Sequence, residues 1–381
     1  MTTLAGGRIV TPAGVIDDGW LQVDAGKIEA VGDGAPPAPA DHDLDGAWVL
    51  PGFVDIHTHG GGAASYMSGD QDDAVVVAAM HRRHGTTTTM ASLVTGTPEH
   101  LELAVSQLAE LAENGLIAGI HLEGPFLSEA RRGAHDPDML RAPEPDLVDR
   151  FIRAGRGTVR MVTLAPELEH GIDAVRRIVD AGAIAAIGHT DASYEQTRQA
   201  IGAGATVATH LFNAMRPLHH REPGPIAALL EDPRVRVELI CDGVHLHPAV
   251  VRMAVAAAGA DRVVLMTDAM DAAGAGDGDY RLGELAVRVT GGVARLVDGG
   301  AIAGSTLTMD RAVKFAVAAG VPVPDAAVMA ATAPARLLGL EDRVGSVAVG
   351  RDADLVTMDD HFDLTGVMVK GAWLGDRPGR G

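Results

Sequence analysis

The stretch Pro51-Gly52-Phe53-Val54-Asp55-Ile56-His57-Thr58-His59-Gly60 ends an apolar run in two histidines spaced two apart. Side chains alternate along a strand, so Asp55, His57 and His59 point one way while Val54, Ile56 and Thr58 point the other. Two imidazoles then converge on one point, and neutral imidazole is the commonest protein ligand of zinc-like ions. Gly60-Gly61-Gly62, at the strand end, leaves room for a small ligand. Two unconnected polar residues at a strand end would also account for the pair, so the rest of the chain decides.

Downstream, apolar runs alternate with Ala-rich helical segments, the pattern of a parallel sheet with helical crossovers. The runs are Val54 to His59, Thr86 to Val94, Ile117 to Glu123, Val159 to Ala165, Ile184 to His189, Thr206 to Leu211, Val235 to Asp242, and Val263 to Asp268. Eight units predict a (β/α)₈ TIM barrel over residues 51–340, with a hairpin insertion near 280–303 and helices at Thr308 to Ala319 and Pro324 to Leu338. His57, His59, Glu123, His189, His210, Asp242 and Asp268 close their runs, where such barrels carry their catalytic groups. Four strand-end histidines beside strand-end carboxylates predict a metal site, because buried polar groups need partners.

Residues 1–50 read as short strands, and strand texture returns at Ser346 to Val349, Asp354 to Met358 and Gly366 to Trp373. Pairing of the two ends predicts a small β-sandwich domain made of residues 1–50 and 341–381.

A net charge of -20 excludes general affinity for nucleic acid or anionic membrane, and requires a local cationic pocket for any anionic substrate. No apolar run reaches the roughly 20 residues of a membrane span and no secretory leader is recognisable, so the expected location is cytoplasmic. Cys241 is the only cysteine and reads as a small core residue, which leaves His, Asp and Glu as metal ligands. The glycine runs match neither a P-loop nor a dinucleotide fingerprint, so no organic cofactor is expected.

The stretches Pro51 to Gly60, His121-Leu122-Glu123-Gly124-Pro125-Phe126, Gly188-His189-Thr190, Thr209 to Met215, Asp242 to His245, Thr267 to Ala269 and Gly304 to Met309 carry a resemblance. Together they resemble the amidohydrolase superfamily, and within it the N-acetylglucosamine-6-phosphate deacetylase family. The resemblance implies one or two divalent ions per subunit: one on Glu123, His189 and His210, with His57 and His59 completing a second site that Glu123 bridges. It further implies Asp268 as both ligand and acid/base, and zinc as the first expectation with Fe2+, Mn2+, Co2+ or Cd2+ as alternatives. A phosphorylated amino sugar is the implied substrate, contacted by Ala134, His135, Asn213, Ala214, Arg221, Asp242, Gly243, Val244, His245, Ile302, Ala303 and Gly304. His245 would orient or polarise the acetamide carbonyl. Arg221, a guanidinium fork for phosphate, would reach the neighbouring subunit's site in a homodimer.

Some relatives bridge two metals with a carboxylated lysine on a barrel strand, but the only lysines here, Lys27, Lys314 and Lys370, lie at no such position. Glu123 supplies the anionic oxygen pair instead. His219, His220 and His247 read as loop residues, and His81, His84 and His100 as solvated positions on helices. Two other readings stand beside this one: a different metal-dependent amide hydrolase, and a non-catalytic relative that keeps the barrel as a scaffold.

Overall fold

The computed structural model describes residues 1–375, so the expected domain limit at 381 lies outside the described residues. Trp48–Pro51 and Phe53–Asp55 are consecutive strands separated by Gly52 alone, and they belong to different sheets. A Cβ on Gly52 would sit 2.3 Å from Thr87 Oγ1, so only glycine fits where the chain passes from one sheet to the other.

The first of these strands lies within the terminal sheet. Its order runs Ala372–Trp373, Leu364–Val369, Leu355–Met358, Trp48–Pro51, Thr2–Thr11, Gly14–Asp24, Lys27–Asp33. Trp48–Pro51 is parallel to Thr2–Thr11 and antiparallel to Leu355–Met358. Leu4, Leu21, Ile28, Val49, Leu355 and Met368, from strands across that sheet, meet in one buried cluster. The sheet therefore wraps around its own apolar face as a small sandwich, made as expected from both termini. One expected strand fails: Ser346 to Val349 has no regular structure, lies between left-handed Gly345 and Gly350, and buries Val347 while exposing Val349.

The second strand opens the barrel. Phe53–Asp55 pairs in parallel with Thr86–Thr89, and Ala91–Leu93 then pairs with Ile120–Glu123. The expected run Thr86 to Val94 is thus split at Met90, whose N–H donates to Asp55 O. Parallel pairing continues through Val159–Leu164, Ile184–Ile187, Val207–Ala208, Arg236–Ile240 and Val263–Met266. A helix follows each of the eight strands, from Gln71–Arg83 after the first to Met309–Ala318 after the last. The predicted helix Pro324 to Leu338 is instead Val323–Ala327 and Ala333–Leu337 with a wide π turn, Val328–Thr332, between them. Pro334 has no N–H to give to the preceding turn, which accounts for the interruption.

The insertion forms the antiparallel strands Gly278–Leu282, Leu285–Thr290 and Val293–Leu296, the last two joined by a turn at Gly291-Gly292.

Closure of the barrel joins the last strand to the first. Thr58 bridges Ala269 in parallel, and Asp268 N–H donates to His57 O at 2.9 Å. Asp55 fastens this seam from inside. Its Oδ2 accepts from the hydroxyls of Thr58 and Thr267, each at 2.6 Å, and its Oδ1 from the N–H groups of His57 at 3.2 Å and Thr267 at 3.3 Å. Asp55→Ala would leave those buried donors unmatched and should cost at least about 3 kcal/mol in urea unfolding of the metal-free protein. A loss within about 0.5 kcal/mol would show that the backbone bridges alone hold the seam.

Candidate metal centre and active site

The strands stop short of the predicted ligands. Ile184–Ile187, Val207–Ala208 and Val263–Met266 each end two residues before His189, His210 and Asp268 respectively. Those three residues have φ of 47°, 30° and 51°, in the left-handed region that costs a non-glycine residue about 1–3 kcal/mol. This bend turns each side chain inward over the barrel mouth. Gly304, at φ 57°, lines the same mouth, and a Cβ there would lie 3.0 Å from Asp268 O.

Four imidazoles converge on Glu123, and Asp268 faces two of them. Glu123 Oε2 lies 3.4 Å from His57 Nε2 and 3.1 Å from His59 Nε2, while its Oε1 lies 3.1 Å from His189 Nε2 and 2.8 Å from His210 Nε2. Asp268 Oδ1 lies 3.4 Å from His57 Nε2 and 3.1 Å from His59 Nε2, and those two nitrogens are 3.1 Å apart. Ligands about 2.05 Å from a tetrahedral zinc-like ion are separated by about 3.3 Å, and five edges of the group His57, His59, Glu123 and Asp268 match that spacing. On the other side of the carboxylate, Glu123 Oε1, His189 Nε2 and His210 Nε2 form a triangle whose third edge is 3.0 Å. The residues therefore fit two ions sharing Glu123.

The outer nitrogens fix the tautomers. His59 Nδ1 donates to Ser92 O at 3.1 Å, His189 Nδ1 to Arg131 O at 2.9 Å, and His57 Nδ1 to Glu238 Oε2 at 3.2 Å. Each Nε2 is left with its lone pair facing inward, as ligation requires. His135 differs. Its Nδ1 accepts from Thr95 N–H at 3.4 Å and faces Thr95 Oγ1 at 2.8 Å, and burial, with His189 next, pushes its pKa down to about 3. Neutral His135 thus carries its proton on Nε2, 3.8 Å from Glu123 Oε2, as a donor. It belongs to a second ligand-capable group with Glu123 and His189, but that tautomer opposes ligation.

A cleft of about 240 Å³ opens over this cluster. Of the predicted substrate contacts, Ala134, His135, Asn213, Ala214, His245, Ile302 and Gly304 line it. Arg221, Asp242, Gly243, Val244 and Ala303 do not. Val244 is exposed and Ala303 is fully buried. Asp242 acts through His245: its Oδ1 accepts the N–H groups of Val244 and His245, each at 2.8 Å, and its Oδ2 faces His245 Nδ1 at 2.7 Å. Burial alone would raise the Asp242 pKa, but these contacts hold it below the usual value. Arg221 stands on an exposed loop against His220, outside its own chain's cleft.

Several site residues went unread. Ile240, Leu282 and Ala301 line the cleft but carry no polar signal. Glu238 is fully buried on the seventh barrel strand, where a charged residue inside an apolar run was the available cue. His121, inside a motif stretch, is buried between Ser92 Oγ at 3.0 Å and Thr163 Oγ1 at 2.8 Å. His81 is not solvated: it is fully buried with Nε2 2.9 Å from Gly60 O, tying the helix Gln71–Arg83 to the glycine turn. His84 and His100 are likewise engaged, with Asp310 at 3.1 Å and Met67 O at 2.9 Å. His219 and His220 are exposed as read, and His247 caps the helix Pro248–Ala258.

The amidohydrolase family model matches residues 48–374. The chain belongs to the amidohydrolase family. This amidohydrolase is 36% identical to the N-acetylgalactosamine-6-phosphate deacetylase of Escherichia coli O157:H7, over 96% of this chain and 97% of that one. It is 35% identical to the N-acetylglucosamine-6-phosphate deacetylase of Bacillus subtilis (strain 168), over 95% and 94%. Among solved structures it superimposes on the N-acetyl-D-glucosamine-6-phosphate deacetylase of Mycobacterium smegmatis with TM-score 0.95 and 49% identity, over 98% of each chain. That structure is an aspartate-to-alanine mutant in complex with N-acetyl-D-glucosamine-6-phosphate. The enzyme of the same name from Thermotoga maritima gives 0.87 and 31%, over 98% of this chain and 99% of that one.

Without an ion, the cluster must be held by protons. Burial lowers the His57 and His59 pKa values, yet Glu123 and Asp268 outweigh it, raising His57 well above its usual value and His59 to about 9. Burial likewise pushes Glu123 up, but the surrounding imidazoles hold it well below the carboxylate range. A raised histidine pKa stabilises fully below its unfolded value of about 6.5 and loses that stabilisation as pH climbs through about 9. The melting temperature of metal-free protein should therefore fall between pH 6.5 and 9, and metal should flatten the profile because ions replace the protons. A flat profile for metal-free protein would mean that the imidazoles are not protonated by their carboxylates.

Proposed function

We propose that this amidohydrolase hydrolyses the acetamide of N-acetyl-D-glucosamine 6-phosphate to D-glucosamine 6-phosphate and acetate, in amino-sugar catabolism. The observation that carries it is the Glu123-centred cluster, with near-tetrahedral ligand spacing and a cleft above it. The names of the relatives supply the substrate class. A divalent ion there, zinc by preference, would polarise the carbonyl and acidify water. In this proposal His57, His59, Glu123 and Asp268 hold one ion and Glu123, His189 and His210 the other. Asp268 takes the proton of the attacking water and passes it to the departing sugar nitrogen. His135 donates its Nε2–H toward the developing oxyanion, and His245, steadied by Asp242, orients the acyl group.

The same proposal places the catalytic barrel at 51–340, the sheet domain at 1–50 with 341–381, and the protein in the cytoplasm as a homodimer. Among the described residues, no helix is long and apolar enough to cross a membrane. The trans role of Arg221 is supported by a gap in the chain's own cleft, whose lining includes no Lys or Arg.

Metal-reconstituted protein should turn over N-acetylglucosamine 6-phosphate, tested beside its galactose epimer, which one relative's name makes the alternative substrate. Chelation should abolish the activity and Asp268→Asn should lower turnover at least ~10²-fold. Metal-loaded protein inert on both sugars would refute the proposal.

Arg221→Ala should lower kcat/KM for the 6-phosphate about ten- to a hundred-fold and leave the unphosphorylated sugar nearly unchanged. Mixing Arg221→Ala with Asp268→Asn subunits should restore activity, because each mixed dimer holds one intact site. No recovery despite proven subunit exchange would place Arg221 outside the neighbour's pocket.

A further inference from the structure

Glu238 lies on the inner face of Arg236–Ile240, fully buried, two residues before the cleft-lining Ile240. One of its oxygens touches both halves of the metal cluster. Oε2 accepts from His57 Nδ1 at 3.2 Å and from His210 N–H at 3.2 Å, while Oε1 has no hydrogen-bond partner among the described residues. A buried carboxylate with two N–H partners and one bare oxygen is poorly compensated unless positive charge stands close by. A cation on His57 Nε2 supplies that charge through the ring. In return the carboxylate makes the imidazole a stronger donor and fixes its tautomer.

His57 is singled out by this contact. The outer nitrogens of His59 and His189 meet backbone carbonyls, and that of His210 has no partner among the described residues. We infer that Glu238 is a positioning residue that sets the metal affinity of the His57–His59 pocket. The inference rests on the metal-dependent reading above, and it makes occupancy of the two pockets separable: in the pocket containing His57 a ligand ring leans on Glu238 in addition to the carboxylates Glu123 and Asp268, whereas in the His189–His210 pocket neither outer ring nitrogen meets a carboxylate.

The test is metal content, independent of turnover. Metal-free wild type, Glu238→Gln, His57→Asn and the double variant are titrated with Zn2+ against a chromophoric chelator, and metal-free melting temperatures are compared. Wild type should bind two ions per chain. Glu238→Gln should weaken one of them about ten- to a hundred-fold and leave the other within about two-fold. His57→Asn should lose that same ion, and adding Glu238→Gln to it should change the remaining affinity little, because the residue through which Glu238 acts is gone. If Glu238→Gln yields no folded protein, Glu238→Asp asks the same question by drawing the oxygen back from His57, and should show the same selective loss.

Two tightly held ions in the variant overturn the inference and spare the proposed function, and so does a single ion in wild type. An equal loss in the His57→Asn background also overturns it, since Glu238 would then act through His210 or the fold. No bound ion in wild type overturns both.

Discussion

The carboxylate of Glu123 is the contact on which the site depends. Four imidazole nitrogens approach its two oxygens within 3.4 Å, two to each oxygen, in a region with almost no solvent. Lone pairs aimed at one another at 3.0 and 3.1 Å repel unless a proton or a metal ion lies between them. The arrangement is therefore a demand for positive charge, made at each of the two Glu123 oxygens. No lysine could take this place, since none lies on a barrel strand.

That demand is built into the closure of the barrel. Asp55 and Thr267 join the first and last strands, and Asp268 N–H donates to His57 O across the same seam. His57 and Asp268 face each other because the sheet closes there. Left-handed backbone at His189, His210 and Asp268 would be costly in isolation. It persists because neighbours fix it: Ser305 N–H donates to Asp268 O at 2.7 Å, and Ser128 N–H to His189 O at 2.9 Å. Folding and site assembly share these contacts, so the strain is sustained by tertiary bonds outside the ligands themselves.

How far the sequence could be read follows from the same physics. Periodicity located all eight barrel strands, because a parallel strand buried on both faces is a short apolar run. Ligand-type residues at the ends of those runs marked the site for the same reason. What failed was finer. Thr206 to Leu211 read as a strand of six residues, but pairing stops after Val207–Ala208, since His210 must leave the ladder to point inward. His81 was assigned to solvent although it is buried, because a polar residue on an amphipathic helix gives no sign that a carbonyl waits for it. Gly243, Val244 and Ala303 were read as substrate contacts together with His245, Ile302 and Gly304, and of these six the last three named line the cleft. Sequence spacing finds a loop; the turn geometry decides which side chain looks in.

The electrostatics of the cleft lead to the last step. A chain of net charge -20 repels a sugar phosphate at long range, so capture needs a nearby cation. Of the arginines beside the cleft segments, Arg131, Arg132 and Arg216, none lines the cleft. Arg131 and Arg216 both clasp Asp191, at 2.8 and 2.9 Å, and that carboxylate is held below its usual pKa by Arg216 first and then by Arg131. Their charge is already matched. In the proposed reading, the cluster floor would offer positive charge only through a bound metal, and that charge would serve the acetamide carbonyl, away from the phosphate. Among the residues that line this cleft there is no guanidinium or ammonium group. Arg221, exposed and joined to no carboxylate among the described residues, is the kind of charge that the pocket lacks. In the proposed reading, Arg221 of a neighbouring copy would supply the cation that the lining of each cleft lacks.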